Sequence, residues 1–283
     1  MNIAIVGLGV IGGSLAKAFT KYTDHTVMGL NRSAETAKQA LKDGAIHKIA
    51  AKDDLKDADV VFMCTYPNHI AKFVEENGKF FKKGCIVTDV CGIKTEICSK
   101  LPEICKRHGL EFVGSHPMAG KEQSTYIASE AELFKGASYI IVPCGASEKS
   151  VETLKNIAME LGFGMTCVTT PEEHDRMIAV TAQVPHVLAC SYVLSPCCPK
   201  HVGFSAGSYR DVSRVANINE TLWTDLFLSN KEPLMTELNI LIDNLSMMRD
   251  AIGDNDPDRL RELLKASRLI KERLGEGVNP NKI

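Results

Sequence analysis

Two short stretches carry residues able to do chemistry together. Gly114-Ser115-His116-Pro117-Met118-Ala119-Gly120 holds one histidine between glycines, after a strand-like run. An imidazole there is a candidate base, because its ordinary pKa of about 6.5 leaves it neutral near pH 7 and able to take a proton. Gly7-Leu8-Gly9-Val10-Ile11-Gly12-Gly13 follows the apolar run 2–6 and opens a helical run from Ser14 to Tyr22. Strand, glycines and helix in that order form a dinucleotide cradle. Gly7 suits the tight turn, Gly9 the approach of backbone to a pyrophosphate, and Gly12 the packing of helix on sheet. A base and a dinucleotide in one domain point to an oxidoreductase.

The tip of the second strand-like run, Thr26 to Leu30, bears on the choice of dinucleotide. An NAD site calls for a carboxylate about 20 residues past the glycines, to accept hydrogen bonds from the ribose hydroxyls. Asn31-Arg32-Ser33 stands there instead. With no carboxylate to repel a 2′-phosphate, and a guanidinium and a hydroxyl able to bind one, the tip predicts NADP in preference to NAD. The alternative is a solvated Arg32 and a Ser33 that caps the helix beginning at Ala34.

The positioning elements follow from hydrophobic runs. Residues 60–65, 85–89, 111–114, 138–143 and 165–168 read as strands, with amphipathic stretches between several of them. The pattern predicts an α/β fold, a doubly wound parallel sheet with an antiparallel extension near its far edge. Ligands of such sheets gather outside the carboxyl ends of the strands. Thr65-Tyr66-Pro67, Asp89-Val90-Cys91-Gly92 and Ser115-His116 all fall there. Thr65, Tyr66, Pro67, Asp89 and Gly92 therefore join the glycine loop as expected cofactor contacts.

A dinucleotide-binding domain over 1–170 is expected to give way at Pro171 to an all-helical domain over 171–283. Its apolar residues exceed the needs of one small bundle, which predicts pairing with a second copy. Pro185 lies in a helical stretch and predicts a kink near Gln183 and His186. Arg210 and Arg214, four apart, would place two cations on one helical face, where they can grip a carboxylate. The bland alternative is a solvated face, slightly favoured for Arg210. Residues 275–283 read as a frayed tail.

Composition narrows the function classes. The formal net charge of −2 proposes neither nucleic acid nor a cationic partner. No run approaches the roughly 18 apolar residues of a membrane span, and the apolar start reads as a strand rather than a leader, so a cytoplasmic protein is expected. The ten cysteines form no CxxC pair. Reduced thiols are expected, and no metal, since Cys197-Cys198 near His201 falls short of four zinc ligands.

Gly7 to Ser14, Asp89 to Lys94, Gly114 to Ser124, Leu133 to Gly136, Pro171 to Asp175, Val184-Pro185-His186 and Tyr209 to Arg214 with Trp223, in this order and spacing, resemble the prephenate/arogenate dehydrogenases of tyrosine biosynthesis. The resemblance implies a Rossmann-type domain followed by a helical dimerisation domain, a homodimer, and an active site between the domains. It implies oxidative decarboxylation of prephenate, or alternatively of arogenate, with hydride transfer to NAD(P)+. His116 matches the catalytic histidine that takes the ring hydroxyl's proton, and Arg214 the arginine that holds a substrate carboxylate. His186 and Gly207 match pocket positions, and Ser115, Gln183 and Arg210 complete the expected substrate side. His174 and Asp175 also match, but read as structural or inter-domain residues at a capped helix start.

Three positions depart from the family pattern. Many relatives carry a serine at Gly92 that orients the histidine, and its loss would cost on the order of 1 kcal/mol unless another donor substitutes. Gln183 stands for a frequent histidine, and Thr125 for a smaller residue. A nearby acid would favour arogenate and extra basic residues prephenate; the reading leans to prephenate. A dehydrogenase of small β-hydroxy acids lacks its expected lysine here, and a non-catalytic NADPH-binding sensor dimer is the other alternative. With no appended regulatory domain in view, tyrosine is expected to inhibit only weakly or by competition.

Overall fold

The computed structural model describes residues 1–121, 123 and 125–273, so Ser124 and the tail 275–283 lie outside the described residues. The chain forms two compact units, the first running from Met1 to Asn230 and the second starting at Lys231.

The first unit is built on an eight-stranded sheet. In chain order it contains β1 (Asn2–Val6), α1 (Val10–Tyr22), β2 (Thr26–Leu30), α2 (Ala34–Lys42), β3 (Lys48–Ile49), β4 (Val60–Met63), α3 (Pro67–Asn77), β5 (Ile86–Asp89), α4 (Thr95–Arg107), β6 (Glu111–Pro117), β7 (Ser138–Val142), α5 (Glu148–Glu160) and β8 (Met165–Val168). The strand order is β3-β2-β1-β4-β5-β6-β7-β8, and every pair is parallel except β6 with β7. Order reverses between β1 and β4, which opens the crevice expected of a doubly wound sheet.

Burial on both faces explains why β1 and β4 read as continuous apolar runs. Alternate residues serve opposite layers. Ile3, Ile5 and Phe62 pack with Leu15, Phe19 and Leu154, whereas Ala4, Val61 and Met63 pack with Ile70, Val74 and Leu101.

The sixth strand is longer than its hydrophobic run. Its parallel register with β5 ends at Thr88↔Val113, and the antiparallel β7 then takes over from Gly114↔Val142 to Pro117↔Tyr139. His116 therefore sits inside a strand, opposite Ile140, rather than on a loop beyond the strand's end. Pairing on that side holds the histidine's backbone still.

Helices complete the first unit: α6 (Pro171–Ile178), α7 (Val184–Val193), α8 (Gly207–Ser213) and α9 (Glu220–Ser229). The Thr170 hydroxyl caps α6 by accepting from the Glu173 amide at 3.2 Å. Instead of a simple kink at Pro185, a π-helical turn, Ala179–Gln183, joins α6 to α7. Proline lacks an N–H and its ring crowds the carbonyl four residues back, and the wider turn relieves both.

The second unit is a pair of helices, α10 (Lys231–Gly253) and α11 (Pro257–Arg273), linked by a turn in which Asn255 has φ 50°. Asparagine tolerates that left-handed geometry better than most residues. Ile240, Ile242, Leu245, Leu264 and Ile270 are all exposed within this chain. Among the described residues no helix is long and apolar enough to cross a membrane.

Candidate active site

The glycine loop is closed to side chains at two points. Gly7 has φ +99°, and a Cβ there would lie 2.4 Å from the Cys64 carbonyl oxygen. A Cβ on Gly12 would lie 1.9 Å from the Gly7 carbonyl oxygen, so α1 can reach the sheet only with glycine there. Helix α1, capped by Gly9 without a side-chain bond, has no acidic residue in its first turn. The amino end formed by Val10 and Ile11 is thus suited to an anion. Leu8 donates its amide to Asn31 Oδ1 at 2.9 Å, which ties the loop to the end of β2. Beside it the Thr65 hydroxyl oxygen is buried with no hydrogen-bond partner among the described residues. A loop without room for side chains, a bare helix end and an unpaired buried hydroxyl fit a dinucleotide.

The tip beyond β2 is more committed than its composition suggests. Ser33 caps α2 by accepting from the Thr36 amide at 3.2 Å, and its hydroxyl donates to Glu35 Oε2 at 3.1 Å. Arg32 is exposed. Glu35 is a carboxylate two residues beyond the Asn31-Arg32-Ser33 tip. It lies at the start of α2, where acids are favoured by the helix dipole.

Asp89 and Ser115 lie beneath the crevice rather than in it. Both are fully buried. The Asp89 carboxylate pairs with the fully buried Lys94 ammonium and accepts amides from Cys91 at 2.9 Å and Ser115 at 3.1 Å. The Ser115 hydroxyl accepts from Thr88 Oγ1 at 3.0 Å and Tyr139 OH at 2.7 Å, and donates to the Asp89 carbonyl at 2.5 Å. Strand alternation turns Ser115 away from the face that His116 occupies.

His116 is held from behind. Its Nδ1 lies 2.9 Å from His174 Nε2, and His174 Nδ1 lies 2.7 Å from Asp175 Oδ1. Burial, reinforced by His174 and by the Lys94 charge, holds the His116 pKa well below the ordinary histidine range. Burial pushes the Asp175 carboxyl up, but hydrogen bonds from His174, Thr95 and the Lys94 amide outweigh it and hold it below the ordinary carboxylate range. A base must be unprotonated to act, and a depressed pKa keeps it so to lower pH. The acid limb of kcat/KM is therefore expected below pH 6.5 in an initial-rate profile; a limb at or above that value would contradict this account of His116.

Two cavities flank α9. One, of about 620 Å³, is lined by Tyr66, Pro67, His69, Ile93, Leu222 and Leu226 among others. The second, of about 760 Å³, includes Lys121, His186, Arg214, Trp223, Leu222 and Leu226. Both share the two leucines, and Leu226 Cδ2 would lie 3.5 Å from a Cβ on Gly92, itself beside His116. The His186 ring stacks on Trp223 at 3.7 Å and donates from Nδ1 to the Ala182 carbonyl at 2.8 Å. In the neutral ring Nε2 is left as an acceptor.

The remaining substrate-side candidates separate. Arg214 lines the second cavity from the 3-10 turn that follows α8, whereas Arg210 is exposed and outside its described lining. The helix ends at Ser213, so the two cations do not share one regular face. Gly207 opens α8, and no heavy atom lies within 4 Å of where a Cβ would stand. Gln183 is buried, donating to the Leu226 carbonyl at 2.8 Å and accepting from Asn230 at 2.7 Å. Asn230 also donates to the Asp175 carbonyl at 2.8 Å, so Gln183 and Asn230 together tie α9 to α6.

A family model described as the prephenate dehydrogenase nucleotide-binding domain matches residues 15–166, and one described as the prephenate dehydrogenase dimerization domain matches residues 170–266. The chain belongs to the prephenate dehydrogenase family. It is 30% identical to the prephenate dehydrogenase of Bacillus subtilis (strain 168) over 286 residues, which span 96% of this chain and 76% of that one. It is also 30% identical to the cyclohexadienyl dehydrogenase of Zymomonas mobilis over 276 residues, 94% of this chain and 93% of that one. The solved prephenate dehydrogenase from A. aeolicus, in complex with hydroxyphenyl propionate and NAD+, shares the fold with a TM-score of 0.83 at 24% identity, covering 97% of this chain and 98% of that one.

Within the prephenate dehydrogenase family pattern, Gly92 is the departure nearest the histidine. A Cβ at Gly92 would lie 3.9 Å from His116 Nε2, an ordinary contact, so a serine would fit and face that nitrogen. His174 holds the opposite nitrogen. The ring is thus positioned without a hydroxyl at 92, and His174 and Asp175, expected to be structural, stand directly behind it.

Proposed function

We propose that the protein oxidises prephenate with loss of carbon dioxide, giving 4-hydroxyphenylpyruvate for tyrosine biosynthesis, with arogenate as the alternative substrate. The observation that carries this reading is His116, held at Nδ1 and kept neutral, with Nε2 facing Gly92 beside Leu226, which lines both cavities. His116 Nε2 takes the proton of the ring hydroxyl as the hydrogen on that carbon leaves as hydride. The bond to the ring carboxylate breaks, its electron pair completes the aromatic ring, carbon dioxide departs, and the phenolate oxygen so formed takes back the proton held by His116 Nε2. A bound nicotinamide dinucleotide supplies the hydride acceptor. Arg214 holds a substrate carboxylate, and His186 lines the same cavity.

Prephenate is favoured over arogenate by charge. Arg214 and Lys121 line the second cavity, Lys121 also pairing with Glu130 at 2.9 Å, and no carboxylate is among its described lining residues. Such a wall suits an anionic keto-acid better than an amino acid. The test is the initial rate with prephenate and arogenate, each with NAD+ and NADP+. Faster turnover of arogenate would reverse the substrate assignment, and no turnover alongside NADPH binding would favour the sensor reading. Arg214→Ala is expected to raise KM for prephenate about 30-fold, the loss of one charge-assisted hydrogen-bonded pair, while Arg210→Ala stays within about twofold.

NADP preference rests on Arg32, because Ser33 caps α2 and Glu35 adds a competing negative charge. Discrimination is therefore expected to be modest. Arg32→Ala should lower kcat/KM for NADP+ about tenfold and leave NAD+ within about twofold, and Glu35→Gln should move the ratio toward NADP+. Steady-state rates with both cofactors check this; an unchanged ratio in Arg32→Ala would remove the basis for NADP.

A further inference from the structure

We propose that His174 and Asp175 form a positioning relay that fixes the tautomer of His116 and so leaves its Nε2 free to act as the base. The inference deepens the dehydrogenase reading and rests on it for its kinetic consequences, though not for its structural ones.

The direction of the relay follows from what each atom can do. Ionised Asp175 can only accept. It accepts the amides of Lys94 at 2.7 Å and Thr95 at 2.8 Å, both at the start of α4, and so is fixed in place from the sheet domain. Its Oδ1 also faces His174 Nδ1 at 2.7 Å, and that nitrogen must therefore carry a proton. In a neutral ring that leaves His174 Nε2 as an acceptor, and the atom facing it at 2.9 Å is His116 Nδ1. His116 then carries its proton on Nδ1, and its Nε2 lone pair points to the side where Gly92 leaves space. The opposite polarity would put a proton on Nε2 and abolish the base. Three elements cooperate: β6 supplies His116, α6 the relay, and α4 the amides that anchor the carboxylate.

The arrangement does not depend on a side chain at position 92. A Cβ there would lie 3.9 Å from Nε2, whereas the ring is held from behind at Nδ1.

The test combines spectroscopy with kinetics. Protein labelled with 15N in its histidine rings, free of substrate at pH 8, is expected to show His116 protonated on Nδ1 and bare on Nε2, with the resonances assigned by their loss in His116→Asn. Asp175→Asn presents an amide able to donate to His174 and should reverse or scramble that preference. It should lower kcat about 100-fold, with KM for prephenate within about threefold. Because Asp175→Asn also disturbs two amides, His174→Phe serves as the second variant: it keeps a ring and the carboxylate but removes the acceptor, and the same split of kcat from KM is expected. A proton on Nε2 in the unaltered protein would overturn the proposal, as would both variants keeping kcat within about threefold. If the unaltered protein turned over neither prephenate nor arogenate, the functional reading would fail, while the tautomer of His116 would still decide the relay.

Discussion

His116→Asn is expected to lower kcat about 1,000-fold while leaving the fold and cofactor binding intact. A positioned general base contributes roughly 10²–10⁴ in rate, and His116 is the group placed to take the hydroxyl proton. Asparagine is the informative replacement because its amide can still donate toward His174 Nε2, preserving the contact behind the ring, yet it has no lone pair basic enough to accept the proton. His116 lies on β6 where the strand is paired with β7, opposite Ile140, so the backbone there is held independently of the ring. Stopped-flow and steady-state rates with prephenate would give the loss, and fluorescence titration with reduced cofactor would show retained binding. A kcat within tenfold of the unaltered protein would remove His116 from its role. The residual rate reports what positioning and Arg214 achieve without a base.

How much of this was legible in the sequence depended on how far each feature reaches along the chain. The glycine loop was readable because a strand, a tight turn and a helix are consecutive, and the contacts closing Gly7 and Gly12 involve only the loop and the neighbouring strand end. His116 was visible as a motif, but its place inside a strand depends on pairing with Ile140, and no local pattern announces a change from parallel to antiparallel neighbours. Asp89 and Ser115 sit at strand ends, as topology predicts, yet their burial follows from Lys94 turning inward to meet Asp89. A lysine two residues after Gly92 gives no sign of that. The relay joins residues 58 apart, and only the family match of Pro171 to Asp175 drew attention to it. Pro185 predicted a disturbance correctly in place, whereas its form, a π turn, was set by helix continuity on both sides.

Lys94→Met is expected to destabilise the protein by about 3–5 kcal/mol, the cost of leaving a buried charge without its partner. Lys94 and Asp89 are both 0% exposed, and the ammonium also donates to the Ser115 carbonyl at 2.8 Å. Removing it strands the Asp89 carboxylate under the strand ends, still holding the amides of Cys91 and Ser115. Asp89→Asn should cost a similar amount by stranding the ammonium, and the double variant should lose less than the sum of the two, by about 1–3 kcal/mol. Urea unfolding monitored by circular dichroism gives all three values; additive losses would mean that the pair is not coupled. The pH dependence has a definite sign. Burial alone would lower the Lys94 pKa, but the Asp89 carboxylate, aided by the cysteine thiols nearby, more than offsets it and the pKa is raised. A raised folded-state pKa gives stability that is fully present below the unfolded lysine value of about 10.4 and is lost only as pH rises through the folded value. The gap between Lys94→Met and the unaltered protein should thus stay level through neutral pH and narrow only in strong alkali. The same charge is one of the causes that depress the His116 pKa. In Lys94→Met the acid limb of kcat/KM should therefore move to higher pH, linking the buried pair that holds the strand ends together to the protonation state of the base above it.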